Sequence, residues 1–186
     1  IIVKRATHEH SAQTAVLVGE LLQEIMDRIG IDVFHFDLEE TKERLADFIV
    51  TEKNFVFIAS DVEAKEIIGF VTVYEGYALY AEGALGTMAE LYVQPSYRSQ
   101  GIGKMLIHSV REFGNQRGWK RIEVTTPPLP QFDLTLAFYE REGFEISEQP
   151  QRDELIAVFG NSEGGGVATE LYGKITDVNP ETIVVS

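Results

Sequence analysis

The chain contains no cysteine. That absence removes disulfide staples, thiolate-ligated zinc and cysteine nucleophiles together, and it suits a reducing compartment. Positive charge is also scarce: 16 lysines and arginines face 30 aspartates and glutamates, a formal net charge of −14. Such a surface repels the phosphates of DNA and RNA, so no nucleic-acid partner is expected. It attracts cationic molecules such as amines, and it also serves plain solubility. No apolar run approaches the length of a bilayer span, so no membrane partner is expected. Ile1 to Arg5 are too few and too soon charged for a signal peptide. These features together point to the cytoplasm.

What remains is an ordinary globular balance, with 44% hydrophobic and 25% charged residues in 186. That is enough chain for one domain with its own core. Ile1 to Ala6 reads as a strand. A helix capped by Ser11 runs to Ile29, with Val18, Leu21, Leu22, Ile25 and Ile29 on one face and Gly30 stopping it. Asp37 opens a second helix, with Glu40 at the capping-box position. Phe55 to Ala59 and Ile67 to Tyr74 form a hairpin around the polar Asp61 to Lys65 turn. Gly76 to Gly86 reads as a loop, and Met88 to Val93 as a strand ended by Pro95. Gly101 to Arg117 keeps an amphipathic stripe (Ile102, Met105, Leu106, Val110, Phe113) and ends at Gly118.

Arg121 to Thr125 is a further strand, and Pro127, Pro128 and Pro130 make a stiff loop. Leu134 to Arg141 is a short helix stopped by Gly143. Phe144 to Ser147 and Leu155 to Phe159 read as closing strands. Asn161 to Gly166 is a Gly/Ser-rich linker, after which Val167 to Ile175 and Thr182 to Val185 could pair as an added hairpin. This order predicts an α/β (α+β) fold, a mixed sheet with helices on its faces.

The chemistry is concentrated between Glu90 and Leu106. A strand ends, a tight turn carries Arg98, and a helix begins on Gly101-Ile102-Gly103-Lys104. Helix N-termini expose unpaired amides and a positive dipole end, which suits an anion. Arg98 and Lys104 could add charge-assisted contacts to phosphate. A P-loop is excluded by the glycine spacing, and a dinucleotide fingerprint fails because Leu106 stands where its third glycine belongs.

Arg98, Gly101 and Gly103 match the coenzyme A loop of the GNAT N-acetyltransferase superfamily. Leu91, Val93 and Pro95 supply its preceding strand ending. Phe138-Tyr139-Glu140-Arg141-Glu142-Gly143-Phe144 is similar to its later signature. The resemblance implies a GNAT-like, mostly antiparallel sheet flanked by helices on both faces. Its domain would span 1–160, with 161–186 a linker and extension. It implies acetyl-CoA as acyl donor, without a metal. The backbone of Leu91, Tyr92 and Val93 would meet the pantetheine arm, and the amides of Ser99, Gln100, Gly101, Ile102, Gly103 and Lys104 the diphosphate. The Val93 amide would meet the developing oxyanion. Tyr139 takes the general-acid position and Glu90 is the candidate base, directly or through water.

The acceptor implied is a primary amine of a small, cationic molecule. The alternatives are a protein or peptide N-acetyltransferase and a non-catalytic coenzyme A-binding module. Glu75 and Glu82 could bind a cationic amine or be surface charges. His8, His10 and His35 fall in the half expected to face substrate, and His108 on an exposed helix face. Where many family members carry an asparagine seven residues before the signature tyrosine, this chain has Phe132 next to Asp133, so that polar contact is either missing or shifted. The tail after Gly160 is open to three roles: pairing in a homodimer, packing on the sheet edge, or none.

Overall fold

The computed structural model describes residues 1–126, 132–146, 173–176 and 183–185. The proline loop, the Leu155 to Phe159 strand and the Gly/Ser linker read from the sequence lie outside these residues. Strand β1 is Ile2–Arg5, followed by helices α1 (Ser11–Ile29) and α2 (Leu38–Val50). Then come β2 (Phe55–Asp61), β3 (Glu66–Ala78), β4 (Gly83–Val93), α3 (Ile102–Arg117), β5 (Arg121–Thr126), α4 (Asp133–Arg141) and β6 (Phe144–Ile146). Two short strands follow, β7 (Gly173–Thr176) and β8 (Ile183–Val185).

The sheet order is β1-β2-β3-β4-β5-β7-β8-β6. Neighbours are antiparallel except β4 with β5 and β6 with β8, which are parallel. This is the mixed, mostly antiparallel sheet expected from the motif resemblance. Strand alternation sorts the core into two layers. Phe55, Phe57 and Ala59 of β2 join the cluster under α3, with Ile102, Leu106, Ile107 and Val110. Val56 and Ile58 point the other way and pack with Leu17 of α1 and Leu45 of α2. Helices therefore cover both faces. Tyr139 and Phe144 belong to the α3 layer, so α4 lies on that face.

Local signals account for most boundaries. Gly30 and Gly118 end α1 and α3 at φ +71° and +73°, a left-handed conformation that glycine adopts without penalty. The Asp37 carboxylate accepts from the Glu40 amide at 2.9 Å, as the capping pattern predicts. At α1 the cap differs from expectation. A short 3₁₀ turn, His8–His10, precedes the helix, and Thr7 with His10 Nδ1 closes the capping arrangement there. Ser11 is already the first residue of α1 and is buried.

The Gly76 to Gly86 segment is not a loop. β3 and β4 run through it as one long ladder, paired from Gly69↔Val93 to Ala78↔Gly83. Gly86, read as the end of a loop, has another purpose: a side chain there would overlap the Trp119 ring, and a Cβ at Gly114 of α3 would lie 2.6 Å from the same ring. The indole thus fills a slot between strand and helix that only glycines leave open.

Trp119 also anchors a charge. Its Nε1 donates to Glu75 Oε2 at 2.5 Å, Arg117 donates to both carboxylate oxygens at 2.7 and 3.0 Å, and the Tyr77 hydroxyl donates at 2.6 Å. The Arg117 hydrogen bonds, and to a lesser degree those of Trp119 and Tyr77, hold the Glu75 carboxyl down at about 2. A carboxyl depressed in the folded state contributes stability above its ordinary range and loses it as pH falls toward the folded value. Glu75→Gln should therefore lower stability at neutral pH by on the order of 1–2 kcal/mol after solvent screening. The difference from wild type should shrink below about pH 4. Urea melts followed by the fluorescence of the single tryptophan, at several pH values, test this; a pH-independent difference would refute it.

Candidate active site

β4 and β5 pair only from Leu85↔Arg121 to Met88↔Val124. Beyond Met88 the two strands separate. The cause is local: Val73 pairs with Met88 but Thr72 pairs with Glu90, so Ala89 is an extra residue that bends β4. The peptide groups of β4 alternate sides along the strand. The Glu90 amide reaches Thr72 and the Gln94 amide reaches Ile68, both on β3. Leu91 and Val93 therefore turn their backbone groups toward the gap on the β5 side. The gap thus presents strand-type hydrogen-bonding groups to an extended guest.

At the end of β4 the chain makes the turn Pro95–Tyr97 and enters α3. Ser99 (φ +62°) and Gly101 (φ +79°) are both left-handed, and this turns the amides inward as a nest. Gly101 is the N-cap of α3, and no side chain caps it. The first bond along the helix is Met105 N–H to Gly101 O at 3.1 Å, so the amides of Ile102, Gly103 and Lys104 have no helical acceptor. A Cβ at Gly101 would meet nothing within 4 Å. An uncapped helix mouth in open space, beside a strand with gap-facing backbone, fits a diphosphate joined to an extended arm. Lys104 is exposed on the first turn, and Gln100 Nε2 braces the turn by donating to Ser96 O at 3.2 Å.

Arg98 is placed differently from a phosphate-facing guanidinium. Its Nε donates to Val93 O at 2.8 Å, and its two Nη atoms donate to the Glu24 carboxylate at 3.0 and 2.6 Å. Glu24 belongs to α1, 74 residues away in sequence. Nothing in the local spacing signals this partner.

Glu90 lies on the face opposite α3, directly across from Thr72. The Thr72 hydroxyl donates to Glu90 Oε2, and the Glu90 amide donates to that same hydroxyl oxygen at 3.2 Å. Burial raises the Glu90 carboxyl above its ordinary range, and the Thr72 hydrogen bond offsets only part of that. Tyr92, next but one, faces α1; burial, with Glu20 second, pushes it to about 12. Tyr139 is 4% exposed, with the rings of Phe138 and Phe144 at 5.3 and 5.1 Å. Burial alone raises its hydroxyl far above the usual range, so it stays protonated. Phe138 in turn packs on α3: a Cβ at Gly103 would come within 2.9 Å of its ring.

Other sequence candidates fall away from this centre or are otherwise engaged. Glu75 is held by Arg117, Trp119 and Tyr77. Glu82 is exposed at the β3–β4 hairpin tip. His10 caps, His35 is exposed ahead of α2, and His108 is exposed beside Glu112 at 3.5 Å. Phe132 is buried, and the Arg28 guanidinium lies 5.4 Å from its ring centre. Among the described residues no helix is long and apolar enough to cross a membrane, and no group of three or more His, Asp or Glu is placed to hold a metal ion.

The profile of the acetyltransferase (GNAT) domain matches residues 47–146, from the end of α2 through the split strands to β6. The chain belongs to the GNAT acetyltransferase domain family. A glucosamine 6-phosphate N-acetyltransferase of Trypanosoma brucei brucei is 33% identical over 72 residues, 39% of this chain and 46% of that protein. The chain thus spans about half the length of that curated relative. An aminoglycoside acetyltransferase from an uncultured soil metagenomic sample, solved with sisomicin, superposes with a TM-score of 0.63 at 22% identity, covering 80% of this chain and 90% of its own. A ribosomal-protein-alanine N-acetyltransferase from Brucella melitensis biovar Abortus 2308 gives 0.57 at 16% identity, covering 76% and 90%. At these identities the structural likeness is one of fold.

Proposed function

We propose that this GNAT chain transfers the acetyl group of acetyl-CoA to the primary amine of a small cationic molecule. One observation carries the reading: the gap beside Leu91 and Val93 opens onto the uncapped mouth of α3. The amides of Ser99 to Lys104 would hold the diphosphate, and the gap-facing backbone groups of Leu91 the pantetheine arm, since the Val93 carbonyl already accepts from Arg98 Nε. The bound thioester supplies the acetyl group, and everything else falls to side chains and backbone of this chain.

Glu90 acts as base for the acceptor ammonium. It lies on the α1 side of the sheet, and its raised carboxyl brings it nearer to an amine in proton affinity. The Val93 amide, facing the gap, donates to the carbonyl oxygen as charge develops there. Tyr139, kept neutral by burial, supplies a proton to the departing sulfur. A strongly acidic surface draws a cationic acceptor in, and acceptors carrying amines on sugar rings are named for two of the similar proteins.

The test is thiol release from acetyl-CoA against a panel of polyamines, aminoglycosides, amino sugars and peptide N-termini. Turnover confined to peptides, or none on any amine, would refute the small-molecule reading. Glu90 makes a second expectation. Only its ionised form accepts a proton, so kcat/KM should rise with pH along an acidic limb. Thr72→Val removes the donor that favours the carboxylate and should move that limb to higher pH. Glu90→Gln should lower turnover about 30-fold and abolish the limb. An unchanged limb in both variants would remove Glu90 from the mechanism.

A further inference from the structure

α1 carries Glu24 and Arg28 one turn apart. Arg28 Nη2 donates to Glu24 Oε1 at 2.5 Å. Glu24 in turn receives both Nη atoms of Arg98, whose Nε is fixed on Val93 O, and the Arg98 guanidinium also lies 5.5 Å from the Tyr92 ring centre. At the other end Arg28 lies over Phe132, the residue immediately before α4. A continuous set of contacts thus runs Val93–Arg98–Glu24–Arg28–Phe132. It begins on β4, at one side of the gap, and ends at the head of the helix that carries Tyr139.

We propose that Glu24 is a positioning residue for the cofactor turn: it holds Arg98 as a strut, and through Arg98 the left-handed Ser99 and the amides that follow. Ser99 adopts its positive φ without being glycine, a conformation that persists only where neighbours fix it. On one flank the fixing comes from Arg98, bidentate to Glu24. On the other it comes from Gln100, whose Nε2 donates to Ser96 O at 3.2 Å. A second tether, the Tyr97 hydroxyl to Asp61 Oδ2 at 3.2 Å, holds the start of the same turn to the end of β2. Burial would raise the Glu24 carboxyl, but Arg98 and Arg28 outweigh it and hold it below its ordinary range, so the strut is charged on both sides at neutral pH. Because Glu24 sits on α1, the helix on the acceptor face is joined mechanically to the turn on the donor side.

This inference rests on the acetyl-CoA reading, and one experiment separates the two. Coenzyme A is titrated calorimetrically into wild type, Glu24→Gln, Arg98→Gln and the double variant, and acetyl transfer is measured at saturating donor. Binding should weaken about tenfold in each single variant and no further in the double, because both changes break one strut. In Glu24→Gln the KM for acetyl-CoA should rise with it while kcat changes less than twofold, a split that a general loss of folded protein would not give. A wild type that does not bind coenzyme A overturns the donor reading and this inference with it. A wild type that binds, with Glu24→Gln equal to it or tighter, overturns only the strut; a loss confined to Arg98→Gln would then point to a direct contact of Arg98 with the phosphates. Should Glu24→Gln melt far below wild type, Glu24→Asp is read in its place. It keeps the charge but is one methylene shorter, and about threefold weaker binding is expected; unchanged binding overturns the strut.

Discussion

Gly103→Glu should reduce coenzyme A affinity more than a hundredfold, at least about 3 kcal/mol, while the protein stays folded. Gly103 is the second residue of α3, one of three whose amides have no acceptor within the helix. A carboxylate there competes for those amides and repels a diphosphate brought to the same place. For the helix itself the substitution is not hostile, since an acidic residue in the first turn is favourable by a few tenths of a kcal/mol. The steric cost is small too. The new Cβ would meet the far end of the Phe138 ring at 2.9 Å, a side chain that can swing. Gly103→Ala is the control, because it displaces Phe138 equally without adding charge; a loss of only a few-fold is expected. Titration calorimetry of both variants decides the matter. Affinity within threefold of wild type in Gly103→Glu would mean that the mouth of α3 does not bind the diphosphate.

Tyr139→Phe should lower kcat about 300-fold and leave coenzyme A affinity unchanged. The ring stays wedged between Phe138 and Phe144, so packing is preserved. Only the hydroxyl goes, and loss of one buried hydroxyl costs about 1 kcal/mol of stability or less. Burial keeps this phenol protonated well beyond its ordinary range. A group held in its acid form throughout the working pH range can donate a proton without itself imposing an alkaline limb. Steady-state and single-turnover rates on the best amine, beside a melting curve, give the answer. Full turnover in the variant would leave Tyr139 as a packing residue of the α3 layer and nothing more.

The two outcomes bear on different halves of the site. The first asks whether backbone amides bind the donor, the second whether a side chain assists departure of the sulfur. Both expectations were already present in the sequence, because each follows from a short local pattern. The turn from Arg98 to Gly103 and the Phe138 to Phe144 run are contiguous, and contiguous patterns survive as geometry. Most helix ends were legible for the same reason: Gly30, Asp37 and Gly118 act on their immediate neighbours.

Where sequence reading failed, the missing partner was distant. Gly86 looked like a loop residue because nothing nearby reveals that Trp119 will occupy its side-chain space. Glu75 looked like a surface charge because Arg117 and Trp119, its partners, lie 42 and 44 residues on. Arg98 directs attention forward to α3 and a phosphate, whereas the Glu24 carboxylate that it meets lies 74 residues back. Each of these pairings is long-range, and ion pairs and packing glycines leave no periodic trace.

The sequence by itself determined the class of fold, the place of the uncapped helix mouth and the family, since these depend on residue periodicity and on motifs a few residues long. Only the tertiary structure decided that β4 leaves β5 after Met88, which way Leu91 and Val93 turn their peptide groups, and what Arg98 holds. Those follow from a one-residue bulge and from side chains brought together across the sheet, where the energy of a contact depends on distance in space and not on distance along the chain.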